Sequence, residues 1–114
     1  MSKPRSYEYT GTKGHIVEII LSLPQTGQEL LNRGWIDISH EHAAKAGHYT
    51  YKEESTGLQV KFDRAKAGAP GFEGKNHYHI MNPETTGDEN AYLDINGNPV
   101  RRGSNASHIL PKGV

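Results

Sequence analysis

Cysteine is absent from these 114 residues. Disulfide stapling and thiolate chemistry are therefore excluded. A chain without cysteine suits the cytosol and can also pass through an oxidising compartment without becoming cross-linked. Net charge is absent too, because thirteen basic and thirteen acidic residues cancel. That removes any global pull toward nucleic acid or membrane. Long apolar runs are missing. The longest, Ile16 to Leu23, is broken by Glu18 and Ser22, too short and too polar for a span, and no stretch reads as a signal peptide. There is no GxSxG, GxGxxG, Walker-type or HExxH motif, and no carboxylate pairing of the glycosidase kind. Apolar residues make up only 33%, which with the glycines builds one modest core and hence one domain.

What remains is uneven. Acids and bases are mixed before residue 57. Residues 61–75 then carry Lys61, Arg64, Lys66 and Lys75 against Asp63 and Glu73, and residues 101–112 carry Arg101, Arg102 and Lys112 with no acid. Three of the seven histidines fall in the same two regions, in Asn76-His77-Tyr78-His79 and in Ser107-His108. Strand spacing puts His77 and His79 on one face of a sheet and Tyr78 on the other. Two adjacent imidazoles are poor core material. They suit proton transfer near neutral pH, or metal binding.

Residues 1–14 are polar and read as a linker, with a strand-like bit at Tyr7–Tyr9, followed by a single domain over 15–114. Ile16, Ile19, Ile20 and Leu23 recur at helical spacing and Pro24 stops the helix. Thr26 and Glu29 have capping-box spacing, Leu30 and Leu31 follow, and Gly34 fits a helix stop. Trp35, Ile36 and Ile38 are expected to pack the helices onto a sheet. Ser39–Gly47 reads as a short helix with a serine cap. Period two then takes over. Tyr49 and Tyr51, with Leu58, Val60 and Phe62 beyond the Ser55-Thr56-Gly57 turn, predict a hairpin. Ala65–Gly74 is a loop, Asn76–Met81 a strand, Tyr92-Leu93 and Val100 a pair across the Asn96-Gly97 turn, and Ser107–Leu110 a last strand. Helices first and an antiparallel meander after them define an α+β fold, with N-terminal helices packed on a C-terminal antiparallel sheet.

Metal-free RNA cleavage needs a base for the 2′-hydroxyl proton, an acid for the leaving 5′-oxygen, and positive charge or donors for the phosphorane. His77, His79 and His108 are the candidate bases and acids; the expected mechanism makes one of His77 and His79 the base and His108 or the other histidine the acid, with Ser107 and a basic side chain on the phosphorane. Lys61, Arg64, Lys75, Arg101 and Arg102 offer charge. Ser104, Asn105 and Ser107 offer neutral donors, and Tyr78 or Tyr92 a ring on which a base can stack. A metal site is the competing use of such residues. His40 and His42 repeat the His-x-His spacing, but on a helix those side chains point apart. The Asp94–Asn98 segment lacks the ligand pattern of a calcium loop and reads as a turn. No metal and no cofactor is expected.

The stretches Val60-Lys61-Phe62-Asp63, Pro70-Gly71-Phe72, Asn76-His77-Tyr78-His79-Ile80-Met81-Asn82-Pro83, Tyr92 through Val100 and Gly103-Ser104-Asn105-Ala106-Ser107-His108-Ile109 follow one another in an order that resembles the C-terminal toxin modules of bacterial polymorphic toxins. Such modules end contact-dependent growth inhibition and Rhs-type proteins. The likeness covers about residues 57–111. It implies a metal-independent ribonuclease of the barnase/EndoU/colicin/RelE-like group. It also implies delivery as the tail of a larger secreted protein, action on RNA such as tRNA in the cytoplasm of the target bacterium, and a cognate immunity protein. Some such toxins enlist a translation factor as adaptor. The motif positions carry over His77, His79, Ser107 and His108 as catalytic. Lys61, Arg64, Lys75, Arg101 and Tyr78 are substrate-binding candidates on their chemistry alone. Neutral net charge departs from the basic character usual in such nucleases, and predicts weak non-specific RNA affinity. Two other readings stand beside this one: a non-enzymatic protein-binding module that uses the histidine face as a contact surface, and a metal-dependent nuclease or hydrolase built on the histidine cluster.

Overall fold

A computed structural model describes residues 11–112. The strand-like Tyr7–Tyr9 and most of the expected linker lie outside the described residues. Order begins earlier than the sequence suggests. Helix α1 spans Lys13–Leu21, because the Thr12 hydroxyl accepts the His15 amide and caps it. Helix α2 is Gln28–Asn32. The expected capping box forms only in part: the Thr26 amide donates to Glu29 Oε2 at 3.2 Å, but the N-cap is Gly27, which has no side-chain cap, rather than Thr26. Gly34 ends the turn at φ +91°, a conformation that only glycine adopts cheaply.

Strand β1 (Ile36–Asp37) precedes helix α3 (Glu41–Lys45). The cap of α3 is His40, whose Nδ1 accepts the His42 amide, and not Ser39. Ser39 is occupied elsewhere, its hydroxyl accepting the Thr50 amide at 2.8 Å. Strands β2 (His48–Lys52), β3 (Gln59–Asp63), β4 (His77–Met81), β5 (Tyr92–Leu93) and β6 (Pro99–Val100) follow. All six strands form one antiparallel sheet in sequence order, an open meander. The Asn96-Gly97 turn links β5 to β6 as expected. Asp94 Oδ1 accepts the amides of Asn96 and Asn98, and Gly97 sits at φ +80°. Among the described residues the fold is thus α+β, with a six-stranded antiparallel sheet and few helices.

One face of the sheet makes the core. Ile16, Ile19, Ile20, Leu23 and Leu30 meet Tyr51, Val60, Phe62, Tyr78, Ile80, Leu93 and Ile109. The strand residues are alternate positions, as period two requires. Contact is close. A Cβ on Gly27 would stand 2.4 Å from a Tyr51 ring carbon, so only glycine lets the α2 entrance lie on the sheet. Trp35 joins this core, but Ile36 and Ile38 do not; they are exposed at the β1 edge. Their expected packing fails because register sets Ile36 opposite Lys52, on the face away from Tyr51 and the core, and Ile38 shares its parity.

The C-terminal segment is not the expected strand. Asn105–Ser107 is a single 3₁₀ turn, followed by one bridge in which Tyr78 and Ile109 exchange both backbone hydrogen bonds, at 2.7 and 2.8 Å. Strand β5 pairs with β4 only at Ile80 and Met81. The edge of β4 at Tyr78 is left open, and Ile109 fills it. Among the described residues no helix is long and apolar enough to cross a membrane.

Candidate functional site

The alternation that buries Tyr78 and Ile80 turns His77 and His79 to the opposite face. Register then decides their neighbours. Asp63 is the cross-strand partner of both His48 on β2 and His77 on β4, and Lys61 is the partner of His79. His48, Asp63 and His77 therefore form one row across three strands. The Ile109 bridge brings the preceding residue, His108, over the same face. The three rings of His77, His79 and His108 lie 4.7–5.1 Å apart between centroids. Two aromatic rings close the cluster. Phe72 stacks on His108 at 4.3 Å and Tyr92 on His79 at 4.8 Å.

Each imidazole is held through Nδ1 by a backbone carbonyl: His77 by Lys75, His79 by Ser107, His108 by Ser104, all at 2.9 Å. A carbonyl only accepts, so each Nδ1 carries its proton. The Nε2 atoms do the rest. Those of His77 and His79 approach the same oxygen, Asp63 Oδ2, at 3.1 and 3.4 Å. Asp63 Oδ1 takes His48 Nδ1 at 2.7 Å. Asp63 contacts three imidazoles and leaves His108 out.

Electrostatics follow this asymmetry. Burial alone would raise the Asp63 carboxyl, but its contacts with His77, His79 and His48 outweigh that and hold it well below the usual carboxylate range. For His77, burial opposes charge, yet the Asp63 carboxylate and the Lys75 carbonyl win and raise its pKa. His108 lacks the carboxylate. Burial and then the neighbouring His79 lower its pKa, against a smaller opposing pull from the Ser104 carbonyl.

The structure sorts the sequence candidates. It brings His77, His79 and His108 together, with Lys61 beside them; Lys61 Nζ lies 5.8 Å from the centre of the Tyr92 ring. Ser107 is present but fully buried. Its hydroxyl donates to the Ser104 carbonyl at 2.7 Å and its own carbonyl holds His79. It positions the site and is not a free reacting hydroxyl. Tyr78 is on the core face, fully buried, with its hydroxyl on the Pro24 carbonyl at 2.8 Å, so it cannot stack a base. Tyr92 has the ring on the correct face. Arg101 pairs with Glu89 and Arg102 with Asp88, near the β6 edge of the sheet. Arg64 leans over Gly47, and Lys75 contributes its carbonyl rather than its ammonium. His40 and His42 stack on one another at 5.5 Å, apart from the cluster, because His40 stands outside the helix as its cap. The sequence reading missed Asp63 and His48. Strand parity was the available signal. Residues 61 and 63 share a face with 77 and 79 once β3 and β4 pair.

As donors for a metal, one ring nitrogen of each of His77, His79 and His108 lies within 4.8 Å of the other two. Comparison of the chain with protein-family models, with curated proteins and with solved structures finds no match.

Proposed function

We propose that the chain is a ribonuclease that cuts RNA by metal-independent transesterification, of the barnase/EndoU/colicin/RelE kind. In this reading it is the antibacterial end of a larger delivered protein and is neutralised by an immunity protein. One observation carries the assignment of roles: a single carboxylate is shared by His77 and His79 and withheld from His108. His108, with its Nδ1 proton fixed on Ser104, keeps a lone pair on Nε2 and is the base. It takes the 2′-hydroxyl proton as that oxygen bonds to phosphorus. His79 is the acid. Its Asp63 contact is the longer of the two, at 3.4 Å, so Nε2–H can turn to the leaving 5′-oxygen as the P–O bond breaks. His77 has both nitrogens engaged and stays in the Asp63 ion pair, a fixed positive charge beside the phosphorane. The Lys61 ammonium adds mobile charge. The acid role requires protons on both nitrogens of His79, and the base role a lone pair at His108 Nε2.

The products are a 2′,3′-cyclic phosphate and a 5′-hydroxyl. The test is to incubate the purified chain with bulk tRNA in chelator and map the ends of any fragments. Cleavage with cyclic phosphate ends, reduced about 10²–10⁴-fold in His108→Ala, is the expected result. Intact RNA, both alone and with a bacterial translation extract to supply any adaptor, would sink the proposal. The chain as a whole carries no net charge, so an adaptor that supplies RNA affinity fits it.

A further inference from the structure

We infer that His77, His79, His108 and Asp63 form a binding site for a divalent transition ion of the Zn²⁺ type, and that an ion seated there stops RNA cleavage. The binding rests on geometry alone. The inhibitory consequence rests on the ribonuclease reading above.

Three features make the cluster a ligand set rather than a loose group of imidazoles. The first is tautomer. All three Nδ1 atoms donate to backbone carbonyls at 2.9 Å, so each neutral ring presents its lone pair at Nε2. A carbonyl on the far nitrogen is how metal-ligating histidines are usually oriented. The second is spacing. Donors around a tetrahedral ion with bonds of about 2.0–2.1 Å stand about 3.3 Å apart. The Nε2 atoms of His77 and His79 lie 3.1 and 3.4 Å from Asp63 Oδ2. A ring nitrogen of His108 lies within 4.8 Å of one on each of His77 and His79. The third is support. Asp63 Oδ1 is held by His48 at 2.7 Å, so the carboxylate has an outer partner just as each imidazole does.

The donor set decides the ion. Three imidazole nitrogens and one carboxylate oxygen suit Zn²⁺, Co²⁺ or Ni²⁺; Mg²⁺ and Ca²⁺ prefer oxygen. Without an ion, two Nε2 atoms facing one carboxylate oxygen can both bond only if both rings are protonated. An ion removes that demand. It also consumes the lone pair of His108 and the proton of His79. Metal binding and acid–base turnover are then mutually exclusive at the same atoms.

The experiment is a Co²⁺ titration of the chelator-treated full chain, read by ligand-field absorption and then by Zn²⁺ displacement. The expected result is one ion per chain with a tetrahedral spectrum, displaced by Zn²⁺. His79→Gln is expected to lose the spectrum. His48→Ala removes no ligand and lies at a half-exposed position, so it is expected to fold and to bind about 10–100-fold more weakly. A folded wild-type chain with no spectrum and no bound Zn²⁺ at saturating metal would overturn the site. Equal affinity in His48→Ala would overturn the arrangement of its ligands. In the cleavage assay Zn²⁺ is expected to inhibit, with recovery on adding chelator. Stimulation by Zn²⁺ would overturn the inhibitory role and the metal-free mechanism together while leaving the binding site intact. RNA cleavage by a chain that binds no metal would remove only this inference.

Discussion

Strands β3 and β4 present two faces made from alternate residues of the same short segments, and the two faces obey different rules. On the core side Val60, Phe62, Tyr78 and Ile80 are nearly or fully buried and apolar, apart from the one Tyr78 hydroxyl, which finds the Pro24 carbonyl. On the other side Lys61, Asp63, His77 and His79 are polar, and the two histidines are still only 5% and 8% exposed. On β4 burial is therefore similar while chemistry is opposite; on β3 Lys61 and Asp63 are only partly buried. The core face gains by removing apolar area from water. The histidine face must compensate every donor and acceptor that it buries, and it does so with carbonyls and one shared carboxylate. No buried side-chain nitrogen or oxygen among the described residues lacks a partner. Such a network is high in electrostatic tension and specific in geometry, which suits a site better than a scaffold.

Substitutions that separate the two faces test this contrast. The largest effect on folding is expected from Ile80→Ala. It empties a fully buried position and should cost about 2–5 kcal/mol in denaturant unfolding. Any activity that survives folding should be close to normal. If Ile80→Ala unfolds no more easily than wild type, the core face is not the source of stability.

Asp63→Asn probes the other face. It keeps the shape and removes the charge that His77 and His79 share. Cleavage is expected to fall about 10²-fold or more, as for loss of a positioned acid–base group. The denaturation midpoint should shift less than in Ile80→Ala. A variant that unfolds readily yet cleaves normally while folded would show that the network is scaffold after all.

The smallest effect is expected from Arg101→Ala. Its pair with Glu89 is exposed, so stability should change by about 0–1 kcal/mol. Cleavage should not change, because the pair lies outside the histidine cluster. A tenfold loss of cleavage would bring the β6 edge into the site.

The sequence made some of this legible for simple reasons. Period two over residues 49–62 and 76–81 produced β2, β3 and β4, and placed Tyr78 opposite to His77 and His79. The Asn96-Gly97 turn and the capping contact of Thr26 with Glu29 are local, and local rules found them. Reading fails where partners are distant. Asp63 was given no role by the motif it lies in, and looks like a solvated strand residue until β3 pairs with β4 and sets it against His77, fourteen positions along the chain. His48 is drawn in by the neighbouring pairing for the same reason. Arg101 resembled a site residue by its charge and Ser107 by its motif position. One is neutralised by Glu89, the other committed through its hydroxyl to Ser104. Ile36 and Ile38 were read as core because hydrophobicity alone does not say which face a strand turns to the helices; pairing with Lys52 turns Ile36 away.

By itself the sequence determined the class of fold, the strand faces and the collection of imidazoles, because these follow from periodicity and residue type along a few neighbouring positions. Tertiary structure alone decided that the imidazoles meet, that a single carboxylate divides them unequally, and that His108 is the one left with a free nitrogen. Those facts depend on strand register and on Ile109 filling the open edge beside Tyr78. Both are settled by which backbone groups find partners across the sheet, and no local pattern in the chain encodes that.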